Sequence, residues 1–453
     1  MMESAARPVA LRPYMRSSLF VLLIAGACHG SGPAPAPPPP ATELGAQHVA
    51  PAPAAAAVGA PTPVAAPAPA PVPAAEPPPP PPPGVDFIAD ARLLYRVAAC
   101  GGGTEERTQE LPGDAAQVGK IVERHCKNIL ERVEKFRAAY FGTNRAWFDE
   151  VVPKDVPKTV VYPFGGGDLL SALVAFPDAT EVTTLSLELA GDPRRLRALK
   201  PATLDTSLSA LRYEIGGLIS VGSNTSENLS KGQRNELPGQ VSSFLIGLVA
   251  AGFEPVAMRY FTIDDAGELH YLEQAEIDAL DRKRTKSLKG DWQSPNFSEA
   301  FANVEIQYRK PGEQTVRTHR HIAWNLGDPY MGTHPQLVRH LAKKGKVTIL
   351  TKGASYLLQR PDFSVIRGYM LDHLAWMLSD STGIPPTYAR AAGMVQETYG
   401  YYNGAFLAGA QNNRHDDSFV ALWRSQPRRR LPFRFGYVDK DSQAHLVITR
   451  PRT

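Results

Sequence analysis

A proline-rich segment ahead of residue 85 most constrains what this chain can fold into. Between Ser31 and Gly84 lie 21 of its 42 prolines, interleaved with alanine and ending in the run Pro77–Pro83. Proline has a fixed φ and no backbone N–H, so the segment cannot form a helix or an interior strand. At roughly 3.1 Å per residue, it predicts a tether on the order of 150 Å long. A packed core is therefore expected only from residue 85 onward. A ligand of a proline-binding module is the alternative interpretation.

The residues before this tether have the features of an export signal. Three arginines precede a short apolar run over 19–27 (LFVLLIAGA), which has under half of the ~20 residues that a membrane span needs. The run ends in Ala-Gly-Ala-Cys at 25–28, which resembles a bacterial lipobox with alanine at its first position. This pattern predicts a lipoprotein signal peptide and lipidation of Cys28. An ordinary secretory signal and a cytoplasmic protein with an apolar N-terminus are the alternatives.

The chain therefore divides into four predicted parts. They are a signal peptide (1–27), the lipid-anchor cysteine with a disordered tether (28–84), a helical segment (85–150) and an α/β domain (151–453). We expect export to the bacterial envelope, with the outer membrane favoured and the domain in the periplasm or at the cell surface. The expected partners are the membrane, through the lipid, and an envelope protein or a cell-wall glycan. The net charge is +4, and about +2 without the signal peptide, which gives no case for binding nucleic acid.

Two cysteines, Cys100 and Cys126, remain in the folded region. Disulfides persist in the compartments to which exported proteins go, so we predict that these two form one. The bond would close a loop of about 26 residues and stabilise the fold by on the order of 3 kcal/mol. The pair lacks the CxxC spacing of zinc and redox sites.

Strands and helices alternate early in the folded region, and hairpins dominate later. A strand over 156–163, a glycine turn at 164–168, a helix over 169–176 and a strand over 182–189 predict a β–α–β unit. The predicted hairpins pair 256–263 with 268–272, 304–309 with 316–324, and 433–438 with 445–449. A long helix bent at Pro361 is expected over 354–378. These patterns predict an α/β fold, a layered domain with a mixed, partly antiparallel sheet that has a Rossmann-like start.

Three phrases in this region resemble those of an uncharacterised family of secreted bacterial proteins. They are VVYPFGGGDLLSALVAFPDATEVTTLSLE, ASYLLQRPDFSVIRGYMLDHLAWMLSDSTGIP and LPFRFGY. In that family a YPF turn, an FP-x-A phrase and a D-S-x-GIP phrase recur in this order. The resemblance covers roughly residues 155–440 and implies a single export-adapted domain. It implies no activity and no functional residue, because none is established for the family.

The glycine turn is the first candidate site. Gly165, Gly166, Gly167 and Asp168 join a strand to a helix, and Glu188 lies near the end of the next strand. Glycines let a ligand approach the backbone, a helix N-terminus favours an anion, and an acid there accepts from ribose hydroxyls. The unit is similar in outline to the cofactor half of class I methyltransferases, although GxGxxG is absent. The structural alternative is a tight turn with Asp168 as helix N-cap.

A second candidate site consists of His319 and His321, which lie on one face of a predicted strand and could together bind a metal ion. Asp328, His334 and His340 follow them in the sequence. Arginines at 317 and 320 raise the local positive charge and oppose a metal. The alternative interpretation is a pair of exposed strand histidines.

Three weaker patterns complete the survey. The phrase at 380–385 (DSTGIP) places a hydroxyl beside a carboxylate and is typical of a helix stop. Aromatic residues at 399–402 (YGYY), with Trp423, could stack on sugars or be buried on a sheet. Arginines clustered over 424–434 fit a solvated turn or an anion site.

No catalytic signature stands out, since GxSxG, SxxK and HExxH do not occur in the sequence. We therefore expect a lipid-anchored envelope protein that acts as a binding or structural module without a cofactor, and whether it is an enzyme stays open. One alternative is a methyltransferase-like enzyme that uses the 164–168 loop and Glu188. The other is a metal-dependent hydrolase at His319 and His321.

Overall fold

The computed structural model describes residues 83–103, 108, 110–219, 237–283, 298–404, 416–435 and 444–452. The predicted signal peptide, Cys28 and most of the predicted tether lie outside these residues. The described strands are β1 (Thr159–Pro163), β2 (Glu181–Ser186), β3 (Glu254–Ile263), β4 (Leu269–Tyr271), β5 (Asn303–Arg309), β6 (Arg317–Ala323), β7 (Val347–Leu350), β8 (Leu374–Ser379), β9 (Met394–Gly400) and β10 (His445–Pro451).

The described α-helices alternate with these strands through most of the chain. They are α1 (Ile88–Val97), α2 (Ala115–Phe136), α3 (Asn144–Val151), α4 (Leu169–Ala175), α5 (Pro201–Ile219), α6 (Gly239–Ala251), α7 (Gln274–Arg282), α8 (Asp328–Thr333), α9 (Gln336–Ala342), α10 (Ser364–His373), α11 (Pro386–Ala391) and α12 (Asp416–Arg424). A π-helical stretch, Arg137–Thr143, joins α2 to α3.

All ten strands form one sheet, in the order β4-β3-β5-β6-β2-β1-β7-β8-β10-β9. The five central strands, from β6 to β8, run parallel to one another. Antiparallel pairs extend the sheet on both sides, through β5, β3 and β4 on one side and through β10 and β9 on the other. The predicted α/β class with a mixed sheet is confirmed. Within the parallel part the chain passes from β1 to β2 and β6 on one side and to β7 and β8 on the other, which is the order of doubly wound folds.

Each face of the sheet has its own hydrophobic core, because successive side chains of a strand point to opposite faces. On the first face, Val160, Val182 and Ile306 pack beneath α1, α2, α4, α5 and α6. On the second face, Val161, Leu185 and Ile349 pack beneath α8 to α11. Helix α6 (GQVSSFLIGLVAA) is buried almost throughout, as expected for a helix that is largely apolar around its circumference.

The helices between residues 85 and 151 belong to this same unit. The described residues from 83 onward form one compact unit, with α1 packed on β3 and α2 on α5. The predicted disulfide is confirmed, since Cys100 and Cys126 are bonded with their Cα atoms 5.3 Å apart. It joins the end of α1 to the middle of α2.

The predicted helix over 354–378 is wrong in its last five residues, and its first part is 3₁₀ rather than α-helical. Short 3₁₀ turns at Gly353–Gln359 and Pro361–Phe363 lead into α10, and Leu374–Ser379 then form the buried strand β8. Strand β8 lies inside the sheet, between β7 and β10, and is covered on both faces, so its run of apolar residues does not alternate. Such a run has no period that separates it from a buried helix.

Two other strand predictions need correction. Strand β2 ends at Ser186 rather than at 189, so Glu188 lies in the connection that follows it. The last predicted hairpin is wrong, because β10 pairs with β8 and β9. Residues 433–435 are not part of a strand, and 436–438 lie outside the described residues.

Candidate functional site

The carboxyl ends of the parallel strands bring several sequence-predicted residues together. In open α/β sheets, ligands bind at this edge, near the point where the strand order reverses. Here the Gly165–Asp168 loop follows β1, Glu188 follows β2, and Lys352 follows β7. The N-terminus of α4 faces the same edge, because this helix begins directly after β1 has ended there. The first turn of α6 lies beside the connection after β2, since the Val241 N–H donates to the carbonyl oxygen of Ala190.

The glycine loop is shaped by its own packing. A Cβ at Gly165 would lie 2.7 Å from the ring of Tyr162, so no larger residue fits there. The Gly165 N–H donates to the carbonyl oxygen of Leu185 (3.1 Å), which ties the loop to β2. Phe164 has a φ of 61° and Gly166 a φ of 49°, both in the left-handed region. A bulky residue in that region is strained, and such strain is commonest at functional sites.

Asp168 occupies the N-terminus of α4. Its Oδ1 accepts from the Ser171 N–H (3.1 Å), and its Oδ2 accepts from the Tyr162 hydroxyl (3.0 Å) and pairs with Lys352 Nζ (3.0 Å). Asp168 is thus the helix N-cap that the structural alternative proposed. Because this carboxylate already complements the helix dipole, a phosphate would meet a negative charge there. The adjoining cavity, about 30 Å³, has room for only a water molecule or two.

The two predicted candidate sites adjoin each other on the first face of the sheet. His319 and His321 lie on β6 beside Val182 and Thr184 of β2, and both are fully buried beneath Phe244 of α6. The interpretation of these histidines as exposed is therefore wrong. His321 Nε2 lies 2.7 Å from the carbonyl oxygen of Glu188, which joins the histidine pair to the connection after β2.

The hydrogen bonds of this pair define its protonation. Burial lowers the pKa of both imidazoles, that of His319 well below its ordinary value, so both are neutral at pH 7. The Glu188 carbonyl can only accept, so His321 carries its proton on Nε2 and its Nδ1 accepts from the Thr184 hydroxyl (3.0 Å). The Thr184 oxygen then accepts from His319 Nε2–H (3.1 Å). This series of hydrogen bonds ends at His319 Nδ1, a buried acceptor without a partner in the described structure.

Further unpartnered polar atoms lie around this series of hydrogen bonds. The first turn of α6 is fixed to the connection after β2, since the Val241 N–H donates to the carbonyl oxygen of Ala190 (3.2 Å). Gln240 lies one turn before Phe244 and therefore on the side of α6 that faces β2 and β6. Ser243 is the neighbour of Gln240 on the helix surface, three residues further along. Within the described residues, the buried atoms without a hydrogen-bond partner here are Ser186 Oγ, Glu188 Oε2, Gln240 Oε1 and Nε2, Ser243 Oγ and His319 Nδ1.

We call this group the α6 polar layer. Its members are Thr184, Ser186, Glu188, Gln240, Ser243, His319 and His321, and each is at most 6% exposed. Native proteins leave few buried polar groups unpaired, because each costs about 1–3 kcal/mol. A group of them that begins at the carboxyl end of β2 is therefore the feature that best marks a site. Sequence reasoning missed Thr184, Ser186, Gln240 and Ser243. Polar residues within an otherwise apolar helix were the available signal for the last two.

A metal ion at His319 and His321 stays a prediction. Groups of three or more His, Cys, Asp or Glu side chains that could hold a metal ion are absent from the described residues. Asp328 accepts from the N–H groups of Ser364 and Val365, both at 2.9 Å, and His334 stacks on Tyr330 with centroids 4.0 Å apart. The imidazoles of the layer both hydrogen-bond the Thr184 hydroxyl, and His321 also hydrogen-bonds the carbonyl oxygen of Glu188.

The phrase at 380–385 follows a strand, β8, rather than a helix. Ser381 Oγ lies 2.9 Å from His445 Nε2, and both residues are buried. The neighbouring carboxylate of Asp380 accepts from the N–H groups of Thr382 (2.8 Å) and Gly353 (3.2 Å), which holds the turn against the segment after β7. The role of Asp380 in the described structure is therefore to brace this turn.

Two further predicted features lie at the β9 edge of the sheet. Tyr402 is buried against Trp423, with ring centroids 5.4 Å apart, whereas Tyr401 is 37% exposed. Arg428 lies over the Tyr401 ring (5.3 Å to its centroid), and Arg429 pairs with Glu397 (3.1 Å). The aromatic cluster is thus mainly part of the core, and these two arginines cover the edge strand.

Comparisons with protein families, with curated proteins and with solved structures found no match for this chain. The resemblance to secreted bacterial proteins therefore stays a prediction. Among the described residues, none of the helices has the length and apolar character that crossing a membrane requires.

Proposed function

We propose that this protein is a lipid-anchored envelope protein whose α/β domain binds a small polar ligand at the α6 polar layer. The observation that carries the proposal is a set of unpartnered polar atoms that are fully or almost fully buried. It extends from the carboxyl end of β2 (Ser186 and Glu188) to the first turns of α6 and to His319 within β6. Ligand sites in this fold class lie at that edge. A ligand that binds there would satisfy groups that otherwise cost free energy.

A binding role fits this layer better than chemistry does. Both histidines are neutral and held in place by hydrogen bonds, and Asp168 is engaged by Lys352 and Tyr162. General acid–base work needs a group that can take up or release a proton near the working pH. Imidazoles whose pKa is strongly lowered by burial are poor candidates for it.

The proposed location in the envelope rests on the sequence before residue 85. A short apolar run, a lipobox-like Ala-Gly-Ala-Cys and a proline-rich tether together fit a domain held away from a membrane by a lipid on Cys28. Such a domain would meet envelope proteins and cell-wall glycans.

Thermal unfolding of the full chain tests the binding proposal. The panel should include sugars, nucleosides, amino acids, organic acids, cell-wall fragments and zinc. A ligand at a hundred times its dissociation constant adds about 2.7 kcal/mol of stability, which shifts the midpoint measurably. We expect a shift with at least one polar ligand, lost in Glu188→Gln and kept in Glu123→Gln, which changes an exposed carboxylate on α2. A shift that survives Glu188→Gln would place the ligand elsewhere.

Metabolic labelling with an alkyne-bearing fatty acid tests the proposed lipid anchor and membrane location. The wild-type chain should take up the label and fractionate with membranes, and Cys28→Ala should lose both properties. Ser31→Ala is the matched control and should keep them. Label on Cys28→Ala would contradict the proposed anchor.

A nucleotide-cofactor enzyme of the methyltransferase type is the second candidate. What favours it is the strand order of the parallel sheet, with an acidic residue, Glu188, after the second strand. Titration calorimetry with S-adenosylmethionine tests it directly. Binding that depends on Glu188 would support this candidate over a simple binding module.

A further inference from the structure

The unpartnered atoms of the α6 polar layer describe the ligand that would satisfy them. Glu188 Oε2 and His319 Nδ1 are acceptors, and Gln240 offers one acceptor oxygen and one amide NH2 group with two N–H donors. The hydroxyls of Ser186 and Ser243 can act either way. Acceptors therefore outnumber obligatory donors. A complementary ligand must present several donors that can also accept, which is the property of hydroxyl groups.

The charges around these atoms restrict the class of ligand further. In the part of the chain that the structure describes, none of these unpartnered atoms contacts a lysine or arginine nitrogen. A buried anion would thus lack a counter-charge beside Glu188. Helix α6 is thirteen residues long, and its N-terminus carries the positive end of the helix dipole. This positive end disfavours a bound cation. A neutral ligand remains.

The arrangement of the groups favours adjacent hydroxyls. A carboxylate placed after the second strand of a doubly wound sheet is positioned to accept from a ribose hydroxyl. The Gln240 amide carries a donor and an acceptor side by side, which can bind two neighbouring hydroxyls in a bidentate way. Ser243, one turn further along α6, extends the same polar surface.

From these observations we infer that the α6 polar layer binds a neutral molecule with vicinal hydroxyls, such as a monosaccharide or a nucleoside. Glu188 and Gln240 contact the hydroxyl pair, and Ser186 and Ser243 contact the adjoining groups. This inference rests on the proposed binding function and adds the chemical class of the ligand. Free sugars and nucleosides share the diol, so matched pairs of probes must separate them.

Titration calorimetry on the full chain tests the inference with two such pairs. They are adenosine with 2′-deoxyadenosine, and methyl glucoside with methyl 2-deoxyglucoside. We expect one diol to bind and its deoxy partner to bind on the order of tenfold to a hundredfold more weakly, because the lost hydroxyl leaves a buried acceptor unpaired. The pair that binds identifies the source. Gln240→Met and Glu188→Gln should each lower the affinity at least tenfold, and Glu123→Gln should not change it.

Different failures have different meanings. Equal affinity for a diol and its deoxy partner would overturn the diol inference and leave the binding function standing. So would an amino acid or organic acid that binds in a Glu188-dependent way. If no probe binds, and a crystal structure of the unliganded protein places ordered waters on Glu188 Oε2 and Gln240, both the inference and the proposed function are wrong.

Discussion

Strands β2 and β6 carry polar side chains on both faces of the sheet. On one face these side chains are paired, and on the other several of their polar atoms lack partners. On the second face, Arg320 of β6 pairs with Glu181 (2.6 Å) and with Glu305 (2.7 Å), so its charge is matched twice. On the first face, one position away along the same strands, Thr184 and His321 belong to a neutral chain that ends in unpartnered atoms. The same two strands thus hold an ionic network whose charges are paired and a polar layer in which several atoms lack partners.

The ionic network is complete in its details. Lys344 also pairs with Glu181, and the Tyr271 hydroxyl donates to Glu305 (2.6 Å). Burial alone would raise the pKa of Glu181, but Lys344 and Arg320 outweigh it and lower that pKa to about 2. Buried charges are tolerated when each is paired and hydrogen-bonded, and here each has a partner.

This contrast between the two faces distinguishes polar groups that stabilise the fold from polar groups that need another explanation. A polar group that stabilises a fold has its partners within the fold, as Arg320 does. A buried group without a partner lowers stability, so its presence needs another explanation. We take ligand binding as that explanation for the α6 polar layer, and the predictions below test the contrast between the two faces.

The largest expected effect comes from breaking the ionic network. Arg320→Met leaves the carboxylate of Glu305, which is 2% exposed, without its cationic partner. We expect a loss of about 3–5 kcal/mol in the free energy of unfolding, measured by denaturant titration. Arg309→Met is the matched control, because its pair with Glu254 is more than a third exposed on both sides and should contribute less than about 1 kcal/mol. Equal effects would remove the contrast between a structural network and an ordinary surface pair.

A pH series tests an unpartnered group that can ionise. Glu214 on α5 is 2% exposed, both of its carboxylate oxygens lack partners in the described structure, and burial raises its pKa to about 8. An acid with a raised folded-state pKa stabilises the fold below its unfolded value, near 4.5, and loses that contribution as the pH rises through 8. We expect unfolding measurements between pH 5 and 8 to show a decline of about 3 kcal/mol that is absent in Glu214→Gln.

The control for that series is Glu123→Gln, which should keep the full pH dependence because Glu123 is exposed. A pH profile that is identical in the wild type and in Glu214→Gln would mean that Glu214 has a partner in solution.

The smallest expected effect concerns backbone strain at the carboxyl edge. Phe164→Ala and Phe164→Gly both remove the ring that packs against Phe363, so the difference between them isolates the backbone. With φ at 61°, glycine should be the more stable of the two by about 1 kcal/mol in thermal unfolding. At the exposed helical position Lys120 the order should reverse, because alanine is favoured there by a similar amount. Alanine favoured at both positions would show that the turn relaxes.

Local patterns were enough to predict much of the fold. The β–α–β start, the first two hairpins and the Cys100–Cys126 bond all follow from periodicity, turn residues and cysteine count, and the structure contains them. The segment at 374–379 could not be assigned this way. Its six residues are buried on both faces of the sheet, and burial on both faces removes the alternation that identifies a strand.

The candidate site was predicted only in part. The chemistry of Glu188, His319 and His321 marks all three in the sequence, but their positions in the sequence predict two separate sites. Their proximity depends on the register between β2 and β6, which pairs Thr184 with His321 and is not encoded locally. Gln240 joins them only because α6 crosses over these strands.

The most direct test of this account is the stability of Gln240→Met without ligand. The substitution keeps the size of the side chain and removes an amide whose two polar atoms are buried and unpartnered. If the layer is reserved for a ligand, the free energy of unfolding should rise by about 1–3 kcal/mol, with an unchanged denaturant slope. A fall of similar size would mean that the amide is already satisfied within the protein, and it would contradict the assignment of the α6 polar layer as a binding site.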